Sequence, residues 1–329
     1  MNMIRKTRHF FKDMKALIKA KEYTQARTKM KRLLVGMKFT DGLIYTLLIY
    51  TMLISLGYIY LYPVLYMITN SFMTVQDIIS STVKWIPSSL NWENYRLVLE
   101  QIDYANSLRD GIILAALPAI SATASSALVG YGFARFDFPL KKVLFVLMIA
   151  SFIIPPQITM LPTFRMYSNY GLLGSIWAFI LPAILAQGLN GAIYILIFYQ
   201  FFRMIPKSLE ESAKLDGASS FKIFTKIALP LAIPSIIIVF LFSFVWYYNE
   251  TYLSGLFLRD SGLMTLPLRL QNFFNQYSSI YPEGSRAREL IQAVKLAGNI
   301  LTLFPLLVLY FFTQRYFVES IDRTGITGE

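Results

Sequence analysis

The sequence predicts an all-α integral membrane protein that crosses the bilayer six times. Hydrophobic residues make up 55% of the 329-residue chain and charged residues only 15%, whereas a soluble domain carries about a quarter charged residues. The apolar residues fall into six runs near the length of about 20 residues that a spanning helix needs. These predicted spans cover residues 43–69, 111–134, 143–164, 174–202, 229–250 and 289–313.

Basic residues set the predicted orientation, because Lys and Arg concentrate in the short loops on the cytoplasmic side of a membrane. The first forty residues hold twelve of them, and the connections after spans two and four hold eight more. The outer connection 251–288 carries four arginines, which weakens the rule locally. Six spans and a basic N-terminal tail therefore predict a multi-pass protein with both termini in the cytoplasm.

Residues 1–40 are predicted to be a cytoplasmic or interfacial tail. Their apolar residues follow a helical stripe between lysines, which is typical of an amphipathic helix on a membrane surface; a solvated basic tail is the alternative. The stripe comprises Phe10, Phe11, Met14, Leu17 and Ile18. The predicted domains are this tail, a six-span domain over 41–314 and a cytoplasmic tail over 315–329.

Several function classes are disfavoured by composition. The net charge of +12 suits an anionic membrane surface better than a nucleic acid, given the apolar content. There is no cysteine, which excludes disulfides and thiolate metal sites; the single histidine, His9, lies in the basic tail, and no metal site is predicted. No phosphate-binding GxxxxGK[ST] motif occurs. Few charges lie within the spans, which argues against a proton- or sodium-driven carrier.

A polar stretch, residues 207–234, separates spans four and five. Ser208 and Glu211 match the S-x-x-E capping box that begins a helix. Gly217 follows at the position where a helix ends in a left-handed residue, and Ser219 or Ser220 would cap a second helix.

The second predicted helix has an apolar stripe at Phe221, Phe224 and Ile227, and Pro230 would end it and start span five. About 25 residues are used where two to eight would connect two spans. The element is therefore either a tidy connecting loop or a docking element for another protein.

The same stretch resembles the EAA loop of ABC-importer permeases. Glu211-Ser212-Ala213 and Gly217 are followed, after nine intervening residues, by Ile227-x-Leu229-Pro230. Ser212 departs from the family's middle alanine, a small-for-small change. Three other stretches, "NWENYRLVL", "YGFARFDFPLKK" and "QRYFVESIDRTGITG", resemble the carbohydrate, maltose-type (MalG-like) branch. The resemblance covers roughly residues 41–328.

This resemblance implies an importer of a sugar, in particular an oligosaccharide, in a bacterial plasma (inner) membrane. The chain would not be an enzyme and would bind no cofactor. ATP and Mg²⁺ would sit on two partner ATPase subunits. A second, different permease would complete the membrane pathway, and an extracytoplasmic binding protein would deliver the solute. The loop 203–230 would be a cytoplasmic coupling helix that fits a cleft on one ATPase.

The resemblance also implies roles for single residues of this loop. Glu211 would face a basic residue of the ATPase, and Ser212 and Ala213 would be small enough to enter its cleft. Gly217 would set the turn, and Asp216 is a weaker contact candidate. The remaining motif positions are Ile227, Leu229 and Pro230.

A sugar pathway needs aromatic faces and amide or hydroxyl groups. Candidates are Asn190, Tyr194, Trp246, Tyr247, Asn249 and Asn299. An interfacial aromatic belt is the alternative for the Trp and Tyr residues. The Pro155–Pro156 pair is either a simple kink or a break whose freed carbonyls line a cavity.

The connection 251–288 is either a docking surface for the binding protein or a plain loop. Three alternatives to the sugar importer stay open: a permease for another polar solute, a self-sufficient secondary carrier, and a membrane scaffold.

Overall fold

The computed structural model describes residues 34, 42–80, 85–259, 261–280 and 286–326, without the side chains of 286–290 and 317–326. The described residues are helical and contain no strand. The predicted amphipathic helix within residues 1–40 lies outside them. The chain divides into two compact units, Met1–Thr69 and Asn70–Glu329.

The helices follow one another along the chain with short connections. A π-helical turn, Phe224–Ala228, lies between α10 and α11. The α-helices are α1 Leu43–Ser71, α2 Val75–Ile79, α3 Glu93–Gln101, α4 Tyr104–Arg135, α5 Lys141–Ile153, α6 Pro156–Asn169, α7 Trp177–Ile184, α8 Gly191–Met204, α9 Lys207–Leu215, α10 Ser220–Ile223, α11 Leu229–Leu231, α12 Ile233–Asn249, α13 Tyr252–Phe257, α14 Leu266–Ile280 and α15 Arg286–Ile326.

Within the described residues, three helices are long and apolar enough to cross a membrane: α1, α4 and the Ile291–Tyr316 part of α15. The number rises to five if each of two bent helix pairs is one span. The all-helical membrane class is thus confirmed in the described residues, whereas the count of six spans stays a prediction. Helix α15 continues past residue 314, so the predicted C-terminal tail is helical as far as Ile326.

Two predicted spans are sharply bent. Helices α5 and α6 meet at 100° where Pro155 precedes Pro156, because a proline disfavours helical geometry in the residue before it. The helix that ends at Leu231 meets α12 at 77°. Pro230 therefore does not end the preceding helix, which continues through α11 and breaks at Ala232.

The fourth predicted span is two helices, α7 and α8, separated by residues 185–190. In this break Ala186 and Asn190 have φ values of 58° and 56°, a left-handed conformation that is strained for a residue with a side chain. The Leu189 amide donates to the Tyr247 hydroxyl, 3.1 Å away. Residues 185–190 are therefore a true break in the predicted fourth span, held by a side chain of α12.

Helix α4 is the centre of the larger unit and packs mainly on α8, α12 and α7. Its buried face is lined by small residues, which let membrane helices approach closely. These are Gly111, Ala115, Ala119, Ala122, Ser126, Ala127 and Gly130. At Gly130 an added Cβ would lie 2.6 Å from the Cβ of Phe198 and 3.0 Å from the Ile195 carbonyl oxygen. No side chain larger than hydrogen fits at this crossing of α4 and α8.

Helix α15 passes through Pro305 without ending. Because proline has no amide hydrogen, it cannot donate to the carbonyl of Leu301 four residues earlier. The Tyr104 hydroxyl donates to that carbonyl instead, at 3.0 Å, and the buried Tyr248 hydroxyl donates to the next carbonyl, Thr302, at 3.0 Å. Two tyrosines of α4 and α12 thus hold the proline-containing part of α15.

The connection between α1 and α4 is organised by a buried amide. Asn94 is 4% exposed, and its Nδ2 donates to the carbonyls of Ser71 (2.8 Å) and Met73 (3.0 Å). Burial of a polar group is tolerated when it is hydrogen-bonded in this way. The "NWENYRLVL" stretch therefore begins a helix, α3, that is tied to the chain after α1.

Candidate coupling site

The candidate site is the coupling segment, residues 205–232, which the structure folds as α9, α10, the π-helical turn and α11. Helix α9 begins directly after Pro206, which occupies the N-cap position and makes no side-chain cap. The predicted capping box is therefore wrong: Ser208 lies inside the first turn of α9. Proline fixes its own φ and lacks an amide hydrogen, so it starts a helix without a hydroxyl cap.

The turn between the two helices has the predicted form. Gly217 has a φ of 77°, and its amide donates to the Lys214 carbonyl at 3.0 Å. The Ala218 amide donates to the Ala213 carbonyl at 2.9 Å, which completes a Schellman motif. A Cβ at Gly217 would meet nothing within 4 Å. Glycine is needed there for its backbone conformation and not for space.

The second helix is capped by Ser219, whose hydroxyl accepts from the Lys222 amide at 3.3 Å. Its predicted apolar stripe is wrong at Phe221, which is 72% exposed. The stripe is right at Phe224, which is buried together with Ile223 and Ala228, and Ile227 is half-buried. The π-helical turn fits an extra residue into one turn, which shifts the buried face away from simple helical spacing.

A buried ion pair attaches α9 to α4. Arg135 is the last residue of α4, and its Nε lies 2.8 Å from Oε1 of Glu210, with the two side chains 5% and 9% exposed. Arg135 also donates through Nη2 to the Ile205 carbonyl at 2.6 Å. Glu210 was not predicted from the sequence. The available signal was two adjacent carboxylates on a helix with an apolar face, of which one can lie on that face.

An aromatic cluster packs beside the ion pair. The Tyr131 ring, one turn before Arg135, lies 4.9 Å from Phe224 and 5.2 Å from Phe202, between ring centroids. Offset and edge-on aromatic pairs at such distances stabilise beyond their buried area. The second helix of the coupling segment is thus held against α4 and α8.

Most of the predicted contact residues are exposed. Glu211 is exposed next to buried Glu210. Ser212, Asp216, Gly217 and Pro230 are also exposed, whereas Ala213, Ile227 and Leu229 are half-buried. Two large apolar side chains are exposed as well, Leu215 at 90% and Phe221 at 72%.

The predicted pathway residues form two groups. Asn190, Tyr194 and Tyr247 come together around the break in the fourth span, where Tyr194 and Tyr247 are buried within the chain. Trp246 and Asn249 are exposed, and the Asn249 amide donates to its own helix at the Val245 carbonyl. Asn299 is half-buried on α15.

In the described ranges, no group of three or more His, Cys, Asp or Glu side chains could hold a metal ion.

The family model for the "binding-protein-dependent transport system inner membrane component" matches residues 126–323. The chain belongs to this family. The match includes the coupling segment and Arg135, and it confirms the family predicted from the EAA-type loop.

Two relatives match this permease over nearly their whole length. The polygalacturonan/rhamnogalacturonan transport system permease protein YtcP of Bacillus subtilis is 30% identical over 289 residues, covering 87% of this chain and 99% of its own. The arabinooligosaccharides transport system permease protein AraQ of Halalkalibacterium halodurans is 28% identical, covering 83% and 93%.

A solved structure has a similar fold. It is a chain of a bacterial ABC transporter involved in the import of the acidic polysaccharide alginate, with a TM-score of 0.66 and 19% identity. The similarity covers 83% of this permease and 96% of that chain.

Proposed function

We propose that this permease is the membrane-spanning subunit of an ATP-driven importer of an oligosaccharide. Support for a sugar comes from relatives named for polygalacturonan, rhamnogalacturonan and arabinooligosaccharide transport. ATP and Mg²⁺ would be bound by two partner ATPase subunits, a second and different permease would complete the pathway, and an extracytoplasmic binding protein would deliver the sugar. The six spans would place both termini in the cytoplasm.

The observation that carries the proposal is the two-sided geometry of α9. Glu210 is buried against Arg135 on one side, and Glu211, Ser212 and Asp216 are exposed on the other. A short helix fixed on one side and open on the other is suited to enter a cleft of a partner. The exposed Leu215 and Phe221 would add apolar contact to such an interface, because apolar anchors contribute much of its binding energy.

The transport mechanism would be alternating access. Closure of the ATPase dimer on ATP would displace the coupling segment, and the helices attached to it would tilt from an inward-open to an outward-open arrangement. The sugar would pass the break at residues 185–190, near Asn190. Exposed Trp246 and Asn249 are the other candidates for contact along the pathway or with the second permease.

We expect Glu211→Ala to uncouple ATP hydrolysis from uptake without unfolding the permease. An ion pair enclosed at an interface contributes more than a solvated one, and removing one partner costs about 2–5 kcal/mol of binding free energy. Uptake and ATP hydrolysis would be measured together in liposomes that contain the whole complex. The matched control is Asp137→Ala, because Asp137 is an exposed acid on the same predicted side of the membrane.

The more severe variant combines Glu211→Ala with Gly217→Pro. Proline cannot adopt the φ of 77° at residue 217, so both the charge and the turn are lost. Unchanged ATP-driven uptake by this double variant would contradict the coupling role of the segment.

A further inference from the structure

We infer that Arg135 is a positioning residue that makes α4 and the coupling segment move as one body. The inference rests on the proposed function, because it assumes that a partner ATPase displaces α9. It concerns a different part of the molecule from the exposed Glu211 side, namely the Arg135 junction, which consists of Arg135, Ile205 and Glu210.

The Arg135 junction joins three chain segments at one side chain. Arg135 ends α4, Ile205 directly follows α8, and Glu210 lies in the first turn of α9. The guanidinium contacts the Glu210 carboxylate at 2.8 Å and the Ile205 carbonyl at 2.6 Å. Arginine suits such a site because its planar, always charged guanidinium can donate to a carbonyl while it pairs with a carboxylate.

The charged groups of the junction are enclosed by protein, so their contacts restrain how the joined segments can move. Both charged side chains are at least nine-tenths buried, so little water screens the pair. The charge-assisted hydrogen bond to the Ile205 carbonyl constrains distance and angle, and charge attraction holds the Glu210 carboxylate against the same guanidinium, whereas apolar surfaces can slide past one another. Helix ends also favour this arrangement, because the carboxylate lies at the start of α9 and the guanidinium at the end of α4.

A neighbouring ion pair shows the contrast. Lys141 and Asp137 pair at 3.1 Å in the connection that follows α4, but the Asp137 side chain is fully exposed, at 102%. Exposed pairs contribute little to rigidity or stability. Of these two links near the end of α4, only the Arg135 junction connects the helix to the coupling segment through a buried contact.

Helix α4, which would receive a displacement of α9 through the junction, is well placed to pass it on to other helices. Helix α4 packs mainly on α8, α12 and α7, and Tyr131 adds aromatic contacts to Phe202 and Phe224 beside the junction. A displacement of α9 that reaches Arg135 therefore reaches the packed centre of the larger unit. Packed interiors of this kind transmit strain.

The test measures whether α4 and α9 stay at a fixed distance during the ATPase cycle. The chain has no cysteine, so spin labels can be placed at Ile120→Cys on α4 and Lys207→Cys on α9, both exposed positions. About 22 Å of helix separates residue 120 from residue 135, at 1.5 Å per residue. The distance would be measured by pulsed electron paramagnetic resonance in the whole complex, without nucleotide and after trapping with ATP and vanadate.

With the natural junction we expect the same distance in both states. In a Glu210→Gln background we expect trapping to change it by about 1–2 Å, the scale of helix shifts in such transitions. Arg135→Lys keeps the charge but loses the planar guanidinium, so it should give a smaller change than Glu210→Gln. The matched control Asp137→Asn should hold the distance nearly constant. If the junction had only a structural role, the Glu210→Gln substitution would change the label-to-label distance equally with and without nucleotide.

Two results would overturn the inference. One is a distance that changes with nucleotide when the junction is natural. This result would overturn the inference even if no Glu210 variant folded. The other is a constant distance in Glu210→Gln. Binding of the ATPase subunits to the permease is measured separately in the same preparation. If they do not bind at all, the proposed function fails and the inference about Arg135 is not what has been contradicted.

Discussion

Gly130→Ala is expected to destabilise the permease by about 3 kcal/mol, the upper end for overpacking in a core. The new Cβ would lie 2.6 Å from Phe198 Cβ and 3.0 Å from both the Ile195 carbonyl oxygen and the Tyr199 amide nitrogen. None of these atoms is the flexible end of a side chain, so α4 and α8 would have to move apart. The separation would also weaken the packing of neighbouring small residues on α4.

The matched control is Gly132→Ala, two residues along the same helix. A Cβ there meets nothing within 4 Å, and alanine favours a helix over glycine by about 0.5–1 kcal/mol. We expect its midpoint of thermal unfolding in detergent to equal or exceed that of the natural protein. Equal midpoints for the two variants would contradict the close crossing of α4 and α8.

Arg135→Met is expected to cost about 3–5 kcal/mol of stability, because it leaves a carboxylate buried without its partner. Glu210 is 7% exposed, and the Ile205 carbonyl would lose its donor as well. The free energy of unfolding would be measured by titration of the detergent-purified protein with sodium dodecyl sulfate.

The double variant Arg135→Met, Glu210→Leu separates the cost of an unpaired charge from the worth of the pair. Replacing a whole buried ion pair by apolar side chains is often neutral or stabilising. We expect most of the lost stability to return. A double variant as unstable as the single one would show that the loss lies in packing around the junction and not in the uncompensated Glu210 charge.

Local signals in the sequence predicted much of this architecture. The first span, predicted at 43–69, is observed as Leu43–Ser71, because hydropathy and helix length are properties of a contiguous segment. Gly217 and Ser219 were placed correctly for the same reason: a left-handed turn and a hydroxyl cap are read from neighbouring residues.

Features that depend on distant residues could not be predicted. Two adjacent carboxylates look equivalent in the sequence, and only the position of Arg135, on another helix, decides that Glu210 is buried. The break in the fourth span also depends on a distant residue. It needs the Tyr247 hydroxyl of α12 to hold the Leu189 amide, which hydropathy cannot indicate.

The angle of a helix bend and the buried face of the coupling segment could not be predicted from the sequence either. The Pro155–Pro156 pair marks where α5 and α6 separate, but the sequence does not indicate the 100° angle between them. Phe221 was predicted to be buried but is exposed, and Ile223, Phe224 and Ala228 are buried around the π-helical turn that follows it. Simple helical spacing does not hold across such a turn, which is rare.

The most direct test of the account is to purify the permease from its native membrane in a mild detergent and to identify the accompanying chains by mass spectrometry. We expect a second, different permease and a P-loop ATPase, together with an extracytoplasmic binding protein whose ligand can then be found by sugar-binding assays. Recovery of this chain alone, as a homo-oligomer that moves solute in liposomes without ATP, would contradict the account.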